Sequence, residues 1–232
     1  MSALRRHHPE LAAQLVPLVL HNSRAPRPGE ADGVDYHFRS RAEIERLASS
    51  PGFVACEVRG DFQGLELATI DRVLDSGQDA FFEGNPFIPE MLREAGVLDR
   101  YPTLTVFLSP LTRDEIVYLR DPARRVDLGS FVADVMRRKL LARTVRQKTH
   151  LSQLDLANIE RRATSAIAEL GYAHRSDHVI PNHDGEGSEN WDAFYYPVGD
   201  AFLALDSFAM LLRGQPSARV ENWETDLVPM MD

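Results

Sequence analysis

Two arginines three residues apart, Arg24 and Arg27, carry the clearest chemistry in the sequence. They lie in NSRAPRPGEADGVDYHF (22–38), a stretch stiffened by Pro26 and Pro28. Proline fixes φ and drives the preceding residue toward extended backbone, so this segment is a loop and not a helix interior. A guanidinium presents a planar fork of donors that matches two oxygens of one anion, so a stiff loop bearing two of them can clamp phosphate. Gly29, Gly33 and Asp35 supply turns that bring Tyr36 back toward the arginines. A polar connector with surface arginines would have the same composition, and spacing alone does not separate the two.

Other reactive groups are less well organised. The basic run of Arg137, Arg138, Lys139, Arg143, Arg146 and Lys148 puts Lys139, Arg143 and Arg146 on one helical face, read most simply as a solvated face. HDGEGSENWD (183–192) holds carboxylates and a histidine, but no spacing that fixes a metal geometry. The single cysteine, Cys56, sits in an apolar run. It excludes an intrachain disulfide framework, points to a reducing, cytoplasmic setting, and reads as a buried structural thiol.

The elements that must position these groups alternate between strand and helix. QLVPLVL (14–20), FVACEV (53–58), AFFE (80–83), TLTVFLSP (103–110) and DHVIPN (177–182) are short apolar runs suited to strands. Between them, Ser40 with Glu43 and Thr112 with Glu115 form capping boxes, and a helix over 66–76 ends at Gly77. A turn is expected at Gly60-Asp61, and Pro89 is expected to start a helix running to about Ala95. From 126 to 170 the pattern changes to long helices, the second restarting at Ser152. Residues 200–213 form an amphipathic helix, and the last ~16 residues read as a poorly ordered tail. Alternating strands and helices indicate an α/β fold.

The chain has 232 residues, 44% of them hydrophobic and 26% charged, and a net charge of −9. That suits one substantial core with a subdomain and argues against nucleic acid as the main partner. No run approaches the ~18 apolar residues of a membrane span. Self-association as a homodimer is left open.

SRAPRPGEADGVDYHF is similar, without gaps, to the GMP-binding loop of guanylate kinases, a pattern of the form TTR-x-PR-x-GE-x-x-G-x-DY-x-F. The resemblance runs to about residue 118 and resumes near 158, where NIERRATSAIAEL and DHVIPNHD resemble the family's lid helix and its VIVNDD strand. It implies an α/β, P-loop-kinase-like fold: a mainly parallel sheet with helices on both faces, a GMP-binding-type subdomain, and an enlarged helical lid where 119–157 do not match. The implied organisation is a guanylate-kinase-like domain over 1–214, with an acceptor subdomain (20–83) and a lid region (119–170), then a tail (215–232). Position by position, Arg24, Arg27 and Tyr36 would hold the acceptor phosphate, and Arg161 or Arg162 would steady the transferring group. The base pocket would draw on Glu83, which stands for a family aspartate, and on Gln63, which replaces a tyrosine. Asn182 would lie on the adenine side.

The departures matter as much. Guanylate kinases begin with a strand and a GxxxxGK[ST] loop that wraps the ATP phosphates. No such run occurs in these 232 residues, and MSALRRHHPEL resembles the helix that follows it. The expectation is that the first strand and P-loop are absent because the recorded start is too late. ATP and Mg²⁺ would then be cofactors only if an upstream P-loop exists. The family's guanine-reading glutamate falls on Val54, its base-contacting serine or threonine on Leu65, and an upstream serine on Leu20. Replacing hydrogen-bonding groups with apolar ones removes the basis for reading guanine. The resemblance therefore implies an ATP-dependent kinase of a nucleoside monophosphate or related phosphate ester, inactive without the P-loop. The alternative is a non-catalytic binding module for a phosphorylated ligand or partner.

Overall fold

A computed structural model describes residues 1–27 and 29–228. Pro28, one of the two prolines of the arginine loop, and residues 229–232 lie outside the described residues. The chain divides into two compact units, Glu10–Thr103 and Met1–Pro9 with Leu104–Asp232.

The chain opens with α1 (Ser2–His7), followed by a single turn, α2 (Pro9–Ala12), that Pro9 begins. The unit from Glu10 then runs β1 (Leu15–Pro17), β2 (His21–Asn22), β3 (His37–Phe38), α3 (Arg41–Ala48), β4 (Phe53–Val58) and β5 (Asp61–Glu66). It finishes with α4 (Ala68–Asp75), β6 (Asp79–Phe81) and α5 (Phe87–Glu94). α5 begins two residues before Pro89, which sits in its first turn, where its missing N–H removes no helical bond. Pro17 is tolerated because β1 pairs on one side only, in parallel with β6.

The second sheet has the order β3-β2-β5-β4, parallel between β2 and β3 and antiparallel elsewhere. β4 and β5 are joined by Arg59-Gly60, one residue earlier than the expected Gly60-Asp61 turn. Both residues have positive φ, 55° and 90°, which matches the twist a two-residue hairpin needs. Side chains alternate across this sheet. Leu20, Val58 and Leu65 meet Ile88, Met91 and Leu92 of α5 in one apolar core, with Val54 and Cys56 packed against it. Burial pushes the Cys56 thiol up to about 11, with the Glu94 charge adding to the effect. The thiol therefore stays protonated and inert at neutral pH. His21, His37 and Glu66 project from the other face and line a shallow cavity of about 340 Å³ with Val16, Thr69 and Arg72.

The other unit comprises β7 (Val106–Ser109), α6 (Arg113–Arg120), α7 (Leu128–Gln147), α8 (Gln153–Gly171), β8 (His178–Pro181) and α9 (Gly199–Leu212), with α1 against α9. β7 and β8 are parallel. The expected capping boxes at Ser40 and Thr112 are formed, and Ser152, where a helix was expected to restart, forms a third with Asp155. α7 and α8 pack along each other as a helical pair, fastened by Arg137, whose Nε and Nη2 each donate to Glu160 at 2.7 Å.

The expected loose tail is not loose up to residue 228. Trp223, Leu227 and Val228 enter the core formed by Ile116, Val132, Ile167 and Val179. Glu221 bridges to Val179 at the free edge of β8, and Arg113 grips Glu224 through Nε and Nη2. Three apolar side chains spread over six residues have no helical or strand period, so the sequence reads as a tail while its burial anchors it.

Candidate functional site

The described residues of 22–38 form a self-bonded loop. Ser23 fastens its start to β5, donating its N–H to the Phe62 carbonyl at 2.9 Å and accepting the Phe62 N–H on Oγ at 2.7 Å. Asp32 accepts the Phe38 N–H at 2.7 Å and Asp35 accepts the Ala31 N–H at 2.8 Å, closing the return. Gly33, at φ +78°, donates to the Tyr36 carbonyl at 2.8 Å, a conformation side chains disfavour.

Arg24 sits inside this loop, its side chain 15% exposed. Its Nη1 and Nη2 donate to the two oxygens of Glu30, both at 2.6 Å, and Nη1 also donates to the Ala25 carbonyl at 3.0 Å. The guanidinium carbon lies 5.1 Å from the Tyr36 ring centre and 5.5 Å from that of Phe38, within cation–π range. Burial works against the Arg24 charge, but the Glu30 hydrogen bonds and charge more than offset it, holding the guanidinium above its ordinary value. Glu30 is correspondingly held below the usual carboxylate range, first by Arg24 and also by the Arg27 N–H, which donates to it at 2.7 Å. Asn22 is fully buried and accepts the Arg24 N–H on Oδ1 at 3.1 Å. Arg27 is exposed and Tyr36 half-buried against the core. Arg24, Arg27 and Tyr36 thus share one loop, with Glu30 and Asn22 as members that residue spacing did not single out.

The residues assigned to base recognition lie elsewhere in this unit. Gln63 is buried, its Oε1 accepting from Asn85 at 3.3 Å, while Glu83 is exposed between β6 and α5. The surface beside Gln63 is apolar and closed: Leu20 is 2% and Leu65 1% exposed, and Val54 packs with them.

In the other unit, Arg161 and Arg162 lie on α8. Arg161 is exposed and reaches Asn158 at 3.4 Å, and Arg162 is half-buried. Asn182, at the end of β8, is buried, and its Oδ1 accepts the Gly185 N–H at 3.3 Å. The basic face of α7 is not the solvated face expected from sequence. Lys139 donates to the Asn182 carbonyl at 2.9 Å, Arg143 pairs with Glu186 at 2.6 Å and Arg146 with Glu189 at 2.9 Å. Both stretches step by four and then three residues, so the helix face and the loop after β8 are in register. That matched spacing was visible in the sequence. Burial pulls the Lys139 ammonium down to about 8, against the charges of Asp184, Asp200 and Glu115. Beside it, His183 joins Glu115, at 2.8 Å, to Asp200.

The guanylate kinase family profile matches residues 2–121, just over half of the chain. The guanylate kinase of Alkalilimnicola ehrlichii is 30% identical over 168 residues, covering 72% of this chain and 66% of that protein. That of Shewanella denitrificans is 30% identical over 157 residues, covering 66% and 69%. That of Nitratidesulfovibrio vulgaris is 34% identical over 171 residues, covering 72% and 66%. The chain spans about two thirds of the length of these three relatives. Among solved structures, a guanylate kinase from Anaplasma phagocytophilum superposes with a TM-score of 0.52 at 20% identity, over 91% of this chain and 82% of that one, which establishes the fold. The chain belongs to the guanylate kinase family.

Proposed function

We propose that the 22–38 loop binds the phosphate of a nucleoside monophosphate or related phosphate ester through Arg24, Arg27 and Tyr36, with the base contributing little. The observation that carries this reading is the contrast within one unit. The described residues of the arginine loop are polar and hydrogen-bonded to one another, while three positions where the family resemblance implies guanine contacts, Leu20, Val54 and Leu65, are closed into the core, leaving only Gln63 and Glu83 polar. A site that reads a base needs hydrogen-bonding groups facing it, because unpaired polar groups are what reject a wrong ligand.

In the guanylate kinase family the reaction is phosphoryl transfer from ATP to GMP, and ATP with Mg²⁺ supplies the transferred group. The described residues do not fit an ATP phosphate cradle. The chain's two lysines are Lys139, donating to the Asn182 carbonyl, and Lys148, paired with Asp155. No step is therefore assigned to ATP or the metal. The engagement of both lysines within the chain favours a second reading, a non-catalytic module that uses the same clamp to hold a phosphorylated ligand. Both readings predict the same binding behaviour, and turnover separates them.

Calorimetry with GMP, AMP, ribose 5-phosphate and guanosine tests the proposal. The phosphate-bearing ligands are expected to bind within about tenfold of one another, each 1.4 kcal/mol being tenfold, with guanosine much weaker. GMP binding far more tightly than both other phosphates would refute it.

A further inference from the structure

We propose that Glu30 is the positioning residue of this clamp: it holds one fork of Arg24 so that the second fork, Nε with Nη2, is presented to a phosphate monoester. The inference rests on the reading of the 22–38 loop as a phosphate site and deepens it.

A guanidinium carries five N–H donors in fixed directions. In Arg24 the Glu30 carboxylate takes one from Nη1 and one from Nη2, and the Ala25 carbonyl takes the other from Nη1. That leaves the Nε donor and the second Nη2 donor, which point the same way and find no acceptor among the described residues. The chain shows the same pair at work elsewhere: Arg137 grips Glu160, and Arg113 grips Glu224, through Nε and Nη2. Arg24 therefore offers a complete bidentate fork in a side chain only 15% exposed. The Tyr36 and Phe38 rings lie within 5.5 Å of it, and the Glu30 carboxylate is itself tied to the loop by the Arg27 N–H.

A second donor close by in the sequence is also unmatched. Asn22 is 0% exposed, its Oδ1 fixes the Arg24 backbone, and its Nδ2 has no partner among the described residues. Buried donors without acceptors are uncommon and call for an explanation. A phosphate monoester satisfies the Arg24 fork with two of its oxygens. In this arrangement Glu30 is not a competitor for the phosphate. It compensates part of the Arg24 charge, fixes the plane of the guanidinium, and leaves the other edge for the ligand.

The test uses the full chain with Glu30→Gln and Glu30→Asp, and inorganic phosphate and ribose 5-phosphate as probes. Calorimetry reads affinity, and the ¹H–¹⁵N signal of Arg24 Nε reads the fork. In the unsubstituted chain, phosphate is expected to shift that Nε signal. Glu30→Gln is expected to weaken phosphate binding about tenfold, since one bidentate hold on the guanidinium is lost, and to shrink the Nε shift at a phosphate concentration near the unsubstituted chain's Kd. Glu30→Asp should restore part of both. Where Glu30→Gln does not fold, Glu30→Asp carries the test through the same two readings, with a smaller loss of affinity and a reduced shift. Unchanged or tighter binding in a folded Glu30 variant would overturn the inference, because Glu30 would then be neutral or an occupant of the site. Failure of the unsubstituted chain to bind phosphate would instead overturn the clamp reading on which it rests.

Discussion

Two regions of this molecule are rich in basic side chains and use them in opposite ways. Along α7 and at Lys148 just after it, Arg137, Lys139, Arg143, Arg146 and Lys148 each have a partner in the chain, whether carboxylate or carbonyl. In the 22–38 loop, Arg24 is equally well fixed, yet its partner takes one edge of the guanidinium and leaves the other. Counting cations would rank α7 as the better anion site. Burial and orientation reverse the order: Arg24 keeps its Nε–Nη2 edge in a side chain 15% exposed and held by three bonds, while Arg143 and Arg146 hold single contacts from side chains 26% and 42% exposed. A cation serves a ligand when its partner orients it and does not exhaust it.

The largest expected effect is at the clamp. Arg24→Ala should weaken phosphate binding roughly 10- to 150-fold, the range expected when a charge-assisted hydrogen bond worth about 1.5–3 kcal/mol is lost. Arg24→Lys should restore only part, since it keeps the charge and loses the fork. Calorimetry with ribose 5-phosphate measures both. A lysine variant that binds as tightly as the unsubstituted chain would show that charge, and not the fork, does the work.

How much of this contrast could be read in the sequence depends on how local it is. The loop was legible because its prolines, glycines and arginines fall in one uninterrupted run. The capping boxes at Ser40 and Thr112 were equally local, since a cap needs only its own first turn. The pairing of α7 with the loop after β8 joins residues about 43 apart, as in Lys139 with Asn182, so α7 read by itself does not reveal it and only its matched spacing with 182–189 hints at it. The same distance hid the packing of Trp223, Leu227 and Val228 and the grip of Arg113 on Glu224, about 111 residues away. At Arg59 the left-handed backbone was missed because arginine rarely adopts it, and only the strand register on either side forces the turn there.

The α7 side of the comparison is tested by Gly187→Ala. A Cβ at residue 187 would lie 2.8 Å from the Arg143 backbone, so the loop and helix would have to separate. The expected cost is about 1–3 kcal/mol of stability, typical of forcing an extra carbon into a packed site. For a chain of this size a loss of 1 kcal/mol lowers the melting temperature by about 2–4 °C. Ribose 5-phosphate affinity should be unchanged within the uncertainty of the titration. A loss of phosphate binding in this variant would mean the basic face of α7 contributes to the site after all.

Smaller again is the effect of the His183 link, which should show mainly as a pH dependence. Burial pulls the His183 pKa down, but its bonds to Glu115 and Asp200 raise it above the ordinary histidine value on balance. Its contribution is then fully present below about pH 6.5 and is lost as the pH rises through the raised value. Glu115 and Asp200 are held low, against the burial that would raise them, so their share is lost as the pH falls below the carboxylate range. His183→Gln should therefore lower the melting temperature most near pH 5–6 and least above pH 8. The difference should be about 2 °C, as suits a partly exposed pair. An effect that grows toward alkaline pH would contradict this assignment.

Arg146→Ala should have the least effect. Arg146 and Glu189 are both exposed, and such pairs contribute about 0.2–1 kcal/mol at most. Denaturant melts should barely move, and 0.5 M salt should erase what difference there is.

The central claim is that the site in Glu10–Thr103 recognises a phosphate group and not a base. The most direct measurement is displacement of bound, isotope-labelled GMP from the full chain by inorganic phosphate or by guanosine. Inorganic phosphate is predicted to displace the nucleotide while guanosine at equal concentration leaves it bound. Displacement by guanosine with no effect of phosphate would contradict the account.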